Sequence, residues 1–262
     1  MLSNASGTEF DSARTLRSLV RGAAAVNVLR RALPQACVAC AAASGERLLC
    51  AECASQMPRI GAACPQCALP SPGGAVCGAC LAREPAFAAT VAAWRYDFPA
   101  DRLLHAFKYG GRLALAEPFA TALAQAVHAR ALPPPDRLIA LPPAARRQRE
   151  RGFDHAREIA RHLAPLVGVA LGPGLRRTRD APPQAGLTLR ERARNVRGAF
   201  EATSALTGLR VAIVDDVMTT GATLAAAAAA VRAAGATRVE AWVVARTLPP
   251  TNPDPRPPNS DP

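Results

Sequence analysis

Lysine is almost absent from this chain of 262 residues, and Lys108 is the only one. Aromatic residues are scarce at 4%. No apolar run reaches the ~18 residues needed to span a bilayer. Cysteine occurs nowhere before residue 37 or after residue 80. The first two shortages go with abundant alanine and arginine and fit a GC-rich coding bias. Arginine number is therefore weak evidence of function, and the one lysine, kept against that bias, is informative. The missing apolar run argues against a helical membrane protein. The confinement of cysteine to one stretch argues for a local module rather than a disulfide network across the fold.

At the start, Arg14 to Arg31 alternates arginines with Leu16, Leu19, Val20, Val26, Val28 and Leu29. This predicts a short amphipathic helix within a segment 1–33. Its apolar centre is interrupted by Asn27 and no convincing cleavage site follows, so it does not read as a signal peptide. The expected compartment is the cytoplasm. Formal net charge is +12, which favours anionic partners such as nucleotides, pyrophosphate or nucleic acid.

The eight cysteines form four C-x-x-C pairs: Cys37/Cys40, Cys50/Cys53, Cys64/Cys67 and Cys77/Cys80. Nine, ten and nine residues separate successive pairs, as in two copies of one unit. Zinc needs four soft ligands in a tetrahedron, and a C-x-x-C knuckle supplies two from one turn. The simplest assignment is sequential, one ion on Cys37, Cys40, Cys50 and Cys53 and a second on Cys64, Cys67, Cys77 and Cys80. A cross-braced pairing is also open at this point. Disulfides would need an oxidising compartment, and a redox C-x-x-C occurs once rather than four times in series. The even spacing lacks the tighter pattern of iron–sulfur ligation. Few large apolar residues surround these cysteines. Structural zinc, worth on the order of 10–16 kcal/mol in small fingers, must then supply the folding energy. Residues 34–83 read as a double zinc ribbon. With eight thiolates on two ions the net charge falls to roughly +8. Arg47, Arg59 and Arg83 suit nucleic acid or a docking partner equally.

Most of the chemistry lies in Val211-Ala-Ile-Val-Asp-Asp-Val-Met-Thr-Thr-Gly-Ala-Thr-Leu224. Four apolar residues predict a buried parallel strand. Asp215 and Asp216 follow, then a small-residue loop, Thr219, Thr220, Gly221, Ala222 and Thr223, then an alanine-rich helix over 222–234. Free N–H groups and the positive end of a helix dipole suit a phosphate. Threonine hydroxyls add hydrogen bonds. The paired carboxylates can accept from vicinal ribose hydroxyls.

This run resembles the binding motif of type I phosphoribosyltransferases, which use 5-phosphoribosyl-1-pyrophosphate (PRPP). The resemblance implies that Asp215 and Asp216 face the ribose hydroxyls and that Thr219 to Thr223 wrap the 5′-phosphate. It also implies an α/β fold, a mainly parallel sheet flanked by helices, over residues 84–248.

Elsewhere in that region Ala89–Tyr96 reads as a strand, and Asp101–Tyr109 as a helix stopped at Gly110-Gly111. Ala114–Arg130 reads as a helix ended by Pro133, Arg137–Leu141 as a strand, and Thr237–Arg246 as the last strand. A loop opening at Pro142 carries Arg146, Arg147, Arg149 and Arg151. Ligands of open α/β sheets bind at the carboxyl ends of strands, and guanidinium forks suit pyrophosphate there. Gln184–Arg197, with Arg190, Arg192 and Arg194, suits a lid, an acceptor-side wall or a charged helix face. The tail 249–262 is proline-rich and expected to be disordered.

Taken in order, the cysteine pairs, Phe107-Lys-Tyr-Gly-Gly111, Arg149-Glu-Arg-Gly-Phe-Asp-His-Ala156, Gln184–Phe200 and the acidic run resemble the ComF/GntX family. These are bacterial proteins linked to DNA uptake in natural competence. Asp154-His155 departs from the family, which more often shows asparagine–glutamine. The resemblance implies displacement of pyrophosphate from C1 of ribose, with Mg²⁺ held largely by substrate and water. Asp215, Asp216 and Lys108 are then the candidate catalytic residues. Lys108 with Arg146, Arg149 and Arg151 would meet the leaving-group charge. The sequence offers no nucleobase pocket, so the acceptor is open. Three functions fit: an active transferase, a non-catalytic sensor of PRPP or nucleotides, and an adaptor for single-stranded DNA or competence-machinery proteins.

Overall fold

The structure, a computed structural model, describes residues 35–130, 133–179 and 198–249. The expected helix over 14–31, the charged segment 184–197 and the tail beyond 249 lie outside the described residues. The chain divides into two compact units, 1–55 and 56–262.

In the first unit, β1 (Gln35–Ala36) pairs antiparallel with β2 (Ala43–Gly45), and α1 (Ala51–Ser55) follows. The turn between the strands carries Ala41 at a φ of 62°. Cys37 N–H donates to the Ala42 carbonyl at 2.7 Å, closing the first knuckle.

The second unit opens with the other two cysteine pairs and α2 (Gly78–Ala82). There follow β3 (Ala89–Arg95), α3 (Ala100–Tyr109), α4 (Ala116–Ala129), β4 (Arg137–Ala140), α5 (Ala145–Arg151), α6 (His155–Val167) and β5 (Leu175–Arg177). The chain is completed by β6 (Phe200–Ala202), β7 (Arg210–Met218), α7 (Ala222–Ala233) and β8 (Arg238–Arg246). Four strands form one sheet in the order β3-β8-β7-β4. Every pairing in it is parallel. The central strands β7 and β8 are apolar along most of their length, as strands covered on both faces must be. Val211 and Ile213 of β7 and Val239, Ala241 and Val243 of β8 pack with Leu224, Ala227, Ala228 and Val231 of α7. β5 and β6 form a separate antiparallel pair.

Two expectations change in detail. A 3₁₀ turn, Leu113–Leu115, precedes α4, which begins at Ala116 rather than Ala114. Pro118 then falls in the first turn, where a missing N–H costs nothing. The expected arginine loop also contains a helix, α5. Ala144 to Arg151 contains no glycine or proline, and its Arg, Gln and Glu residues are strong helix formers. Gly152, at a φ of 79°, ends it in the left-handed conformation.

Phe119 on α4 is fully buried. Its ring meets Trp94 edge-on at 5.9 Å and Phe107 at 5.4 Å. Phe119→Ala should therefore cost about 3–5 kcal/mol. Urea unfolding checks this, and a loss below about 1 kcal/mol would mean the aromatic cluster is not a packed core.

Candidate functional site

The two carboxylates stand inside β7 rather than after it, because pairing with β8 continues to Met218 opposite Arg246. Side chains alternate along a strand, so Asp215 and Asp216 leave β7 on opposite faces at its carboxyl end. Asp216 is buried and meets Lys108 Nζ at 2.9 Å from Oδ1. The lysine comes from the last turn of α3, so the one lysine of the chain lands on the acidic pair. Asp215 accepts the Asp216 N–H at 2.8 Å. Burial, and then the charge of Asp216, push Asp215 up to about 8. Lys108 works against that rise.

Beyond Met218 the chain turns through Thr219, Thr220 and Gly221 into α7. Both threonines are exposed. Gly221 takes a φ of 79°, and a Cβ there would stand 2.5 Å from Met218 Cε. Thr220 Oγ1 accepts from the Ala222 N–H at 3.3 Å. Ala222 and Thr223 form the first turn of α7, whose leading N–H groups have no carbonyl one turn back to bond. An acidic pair therefore ends one strand beside a loop of exposed threonines and a helix N-terminus.

Arg151 closes another side. Its guanidinium lies 4.8 Å over the ring of Tyr109, the neighbour of Lys108, and donates to Tyr109 Oη at 3.0 Å. Arg149 is exposed on the same helix. Arg146 points elsewhere, with Nε 2.6 Å from Glu150 one turn on. The structure thus sets Lys108 on the acidic pair, holds Arg151 on the neighbouring Tyr109, and turns Arg146 to its own helix.

Sequence reasoning missed His155. It is buried between Phe107 and Phe153, at 4.9 and 4.2 Å between ring centroids, with Nε2 unpartnered. Burial pushes its imidazole down; Asp216 opposes that, and Arg151 and Lys108 add to it. Asp154 caps α6 by accepting the Arg157 N–H at 3.0 Å. Its only sequence signal was the departure from the family's asparagine–glutamine.

The cysteines gather into two groups, Cys37, Cys40, Cys50, Cys53 and Cys64, Cys67, Cys77, Cys80. The four sulfurs of each lie within 4.8 Å of one another. Pairing is sequential, and the cross-braced alternative falls away. A tetrahedron with Zn–S bonds of ~2.3 Å has edges of about 3.8 Å. Cys40–Cys50 and Cys67–Cys77 sulfurs stand 3.9 and 3.6 Å apart, so both groups fit zinc. In each group an N–H also donates to sulfur, Cys50 to Cys37 and Cys77 to Cys64, both at 3.4 Å. These are two structural zinc sites. Each supplies four sulfurs, enough to fill the ion's coordination.

Residues 28–81 match the double zinc ribbon domain family, and residues 149–258 match the phosphoribosyl transferase domain family. The DNA utilization protein YhgH of Salmonella typhi is 35% identical over 158 residues, which is 58% of this chain and 70% of that protein. The chain belongs to the ComF family. Competence protein F of Haemophilus influenzae is 28% identical over 159 residues, covering 58% of this chain and 69% of its own. Among solved structures, glutamine PRPP amidotransferase from B. subtilis aligns with 53% of this chain and 30% of its own, at 20% identity and a TM-score of 0.37. That superposition is loose. The type I phosphoribosyltransferase fold of this ComF protein rests on its strand order and on the domain match. Among the described residues no helix is long and apolar enough to cross a membrane.

The raised Asp215 has a consequence for stability. Its folded value of about 8 lies above the ordinary 3.8, so the folded chain holds a proton that the unfolded chain releases. That contribution is present at low pH and is lost as pH rises through the window between those values. Asp215→Asn removes the titration. Its melting temperature relative to wild type should rise steadily from pH 4 to pH 8; a difference independent of pH would show that Asp215 ionises normally.

Proposed function

We propose that this protein binds PRPP at the carboxyl end of β7 and transfers its phosphoribosyl group, releasing pyrophosphate. The observation that carries this reading is the Lys108–Asp216 pair at 2.9 Å. It joins the acidic dyad to the chain's one lysine, directly before the threonine–glycine loop. Asp215 and Asp216 take the ribose 2′- and 3′-hydroxyls. Thr219, Thr220, Gly221, Ala222 and Thr223 take the 5′-phosphate through N–H and hydroxyl donors. Lys108, Arg149 and Arg151 meet the pyrophosphate, and Arg146 joins them if it leaves Glu150.

The reaction breaks the C1–O bond of ribose and forms a bond to the acceptor, through a transition state with oxocarbenium character. The protein's work is placement and electrostatics. Asp215 and Asp216 offer oxygen donors that would hold a Mg²⁺ bound with PRPP, and the ion would supply neutralisation of leaving-group charge. Both zinc sites stand outside this chemistry.

The setting is the cytoplasm, which keeps eight zinc-binding thiols reduced. The process is DNA handling, a reading that rests on relatives named for DNA utilization and competence. The same names favour a second reading, an adaptor for single-stranded DNA or competence-machinery proteins that keeps the site as a PRPP sensor. Pyrophosphate release separates the two.

Asp215→Asn combined with Asp216→Asn should abolish PRPP binding, at least a hundredfold by calorimetry with Mg²⁺, while zinc stays at two per chain. Unchanged affinity in that variant would remove the site from β7. Lys108→Met should lower pyrophosphate release at least tenfold in a panel of base and nucleotide acceptors. Release at the wild-type rate would deny the lysine its role.

A further inference from the structure

The second zinc ribbon is bonded into the sheet through three successive carbonyls. Pro65 accepts from the Thr90 N–H at 3.0 Å and from Arg130 Nη2 at 3.4 Å. Gln66 accepts from Thr90 Oγ1. Cys67 accepts from Arg246 Nε at 2.8 Å. Arg130 Nη1 also holds the Thr90 carbonyl. These three carbonyls belong to the Cys64–Cys67 knuckle itself, so the backbone that shapes one half of the metal site also faces the sheet.

Arg246 continues the connection. It is 3% exposed, and among the described residues backbone carbonyls are its hydrogen-bond partners. Its Nη1 donates to the carbonyls of Met218 at 3.0 Å, Thr247 at 2.8 Å and Thr219. One guanidinium thus joins a zinc-ligand carbonyl to the two carbonyls that start the phosphate loop. In a trans peptide the carbonyl and the following N–H point in opposite directions. Drawing the Met218 and Thr219 carbonyls inward therefore turns the N–H groups of Thr219 and Thr220 outward, where a phosphate would meet them. Side chains bridge the same gap. Thr90 Oγ1 lies 4.0 Å from Met218 Sδ, and Met218 packs against Gly221.

We infer that Arg246 is a positioning residue for the phosphate loop, and that occupancy of the second zinc site sets the loop's order and hence its affinity for PRPP. The affinity clause rests on the proposed PRPP site; the coupling between metal site and loop does not. By linkage, PRPP must hold zinc more tightly if zinc tightens PRPP.

Two measurements test this. The first measures the zinc affinity of the full chain by equilibrium competition with a chromogenic chelator, with and without saturating PRPP and Mg²⁺. Affinity of the second site, isolated by comparison with Cys50→Ser, should rise about fivefold or more with PRPP bound. Equal affinities with PRPP demonstrably bound would overturn the inference. The second needs no ligand: residue-resolved hydrogen exchange of wild type, Cys77→Ser, Arg246→Met and Arg246→Lys. The amides held by this segment's carbonyls, Thr247 on Met218 and Ala225 on Gly221, should exchange at least tenfold faster in Cys77→Ser and Arg246→Met, with β7 amides 211–214 still protected and partial recovery in Arg246→Lys. An unchanged loop in Cys77→Ser, or loss spread evenly over the sheet, would overturn the coupling. Failure of PRPP to bind would instead overturn the proposed function, and the exchange result would still decide the coupling.

Discussion

The proposed site depends on the ion pair between Lys108 and Asp216. A carboxylate at the end of a buried strand loses its hydration, and ionisation there needs a partner. Lys108 supplies it from α3, two turns after the first helical residue. Burial and the neighbouring Asp216 push Asp215 up to about 8. The dyad is thus asymmetric: one carboxyl paired with a lysine, the other raised by burial.

Around this pair the fold does little more than aim backbone. The parallel sheet brings the ends of β4 and β7 side by side. After β7 comes the threonine–glycine loop, and after β4 comes the arginine helix. Both connections leave the carboxyl edge, where open α/β sheets bind their ligands. The second ribbon bonds to the loop through Arg246, whose guanidinium holds carbonyls of both.

The sequence made some of this legible and hid the rest for a clear reason. The acidic run could be read because strand, carboxylates, loop and helix follow one another without a gap. The cysteine pairs could be read because metal geometry demands their spacing. Lys108 stood out by being alone. The arginine segment was read as a loop, although its residues favour a helix and Gly152 supplies the stop. Arg246 was not legible. Its bond to Cys67 crosses 179 positions, and an arginine ending an apolar strand looks like an ordinary solvent-facing charge. His155 was visible only as a departure from a family pattern, and its aromatic burial comes from α3 and the turn before α6. Long-range polar contacts of single residues leave no periodicity to read.

The central claim is that β7 ends in a ribose-phosphate site. A crystal structure of the zinc-loaded protein with PRPP and Mg²⁺ tests it most directly. The account predicts ribose hydroxyls on Asp215 and Asp216, and the 5′-phosphate on the N–H groups of residues 219–223. Sugar phosphate bound elsewhere, with Lys108 and Asp216 still paired and the loop empty at saturating PRPP, would contradict it.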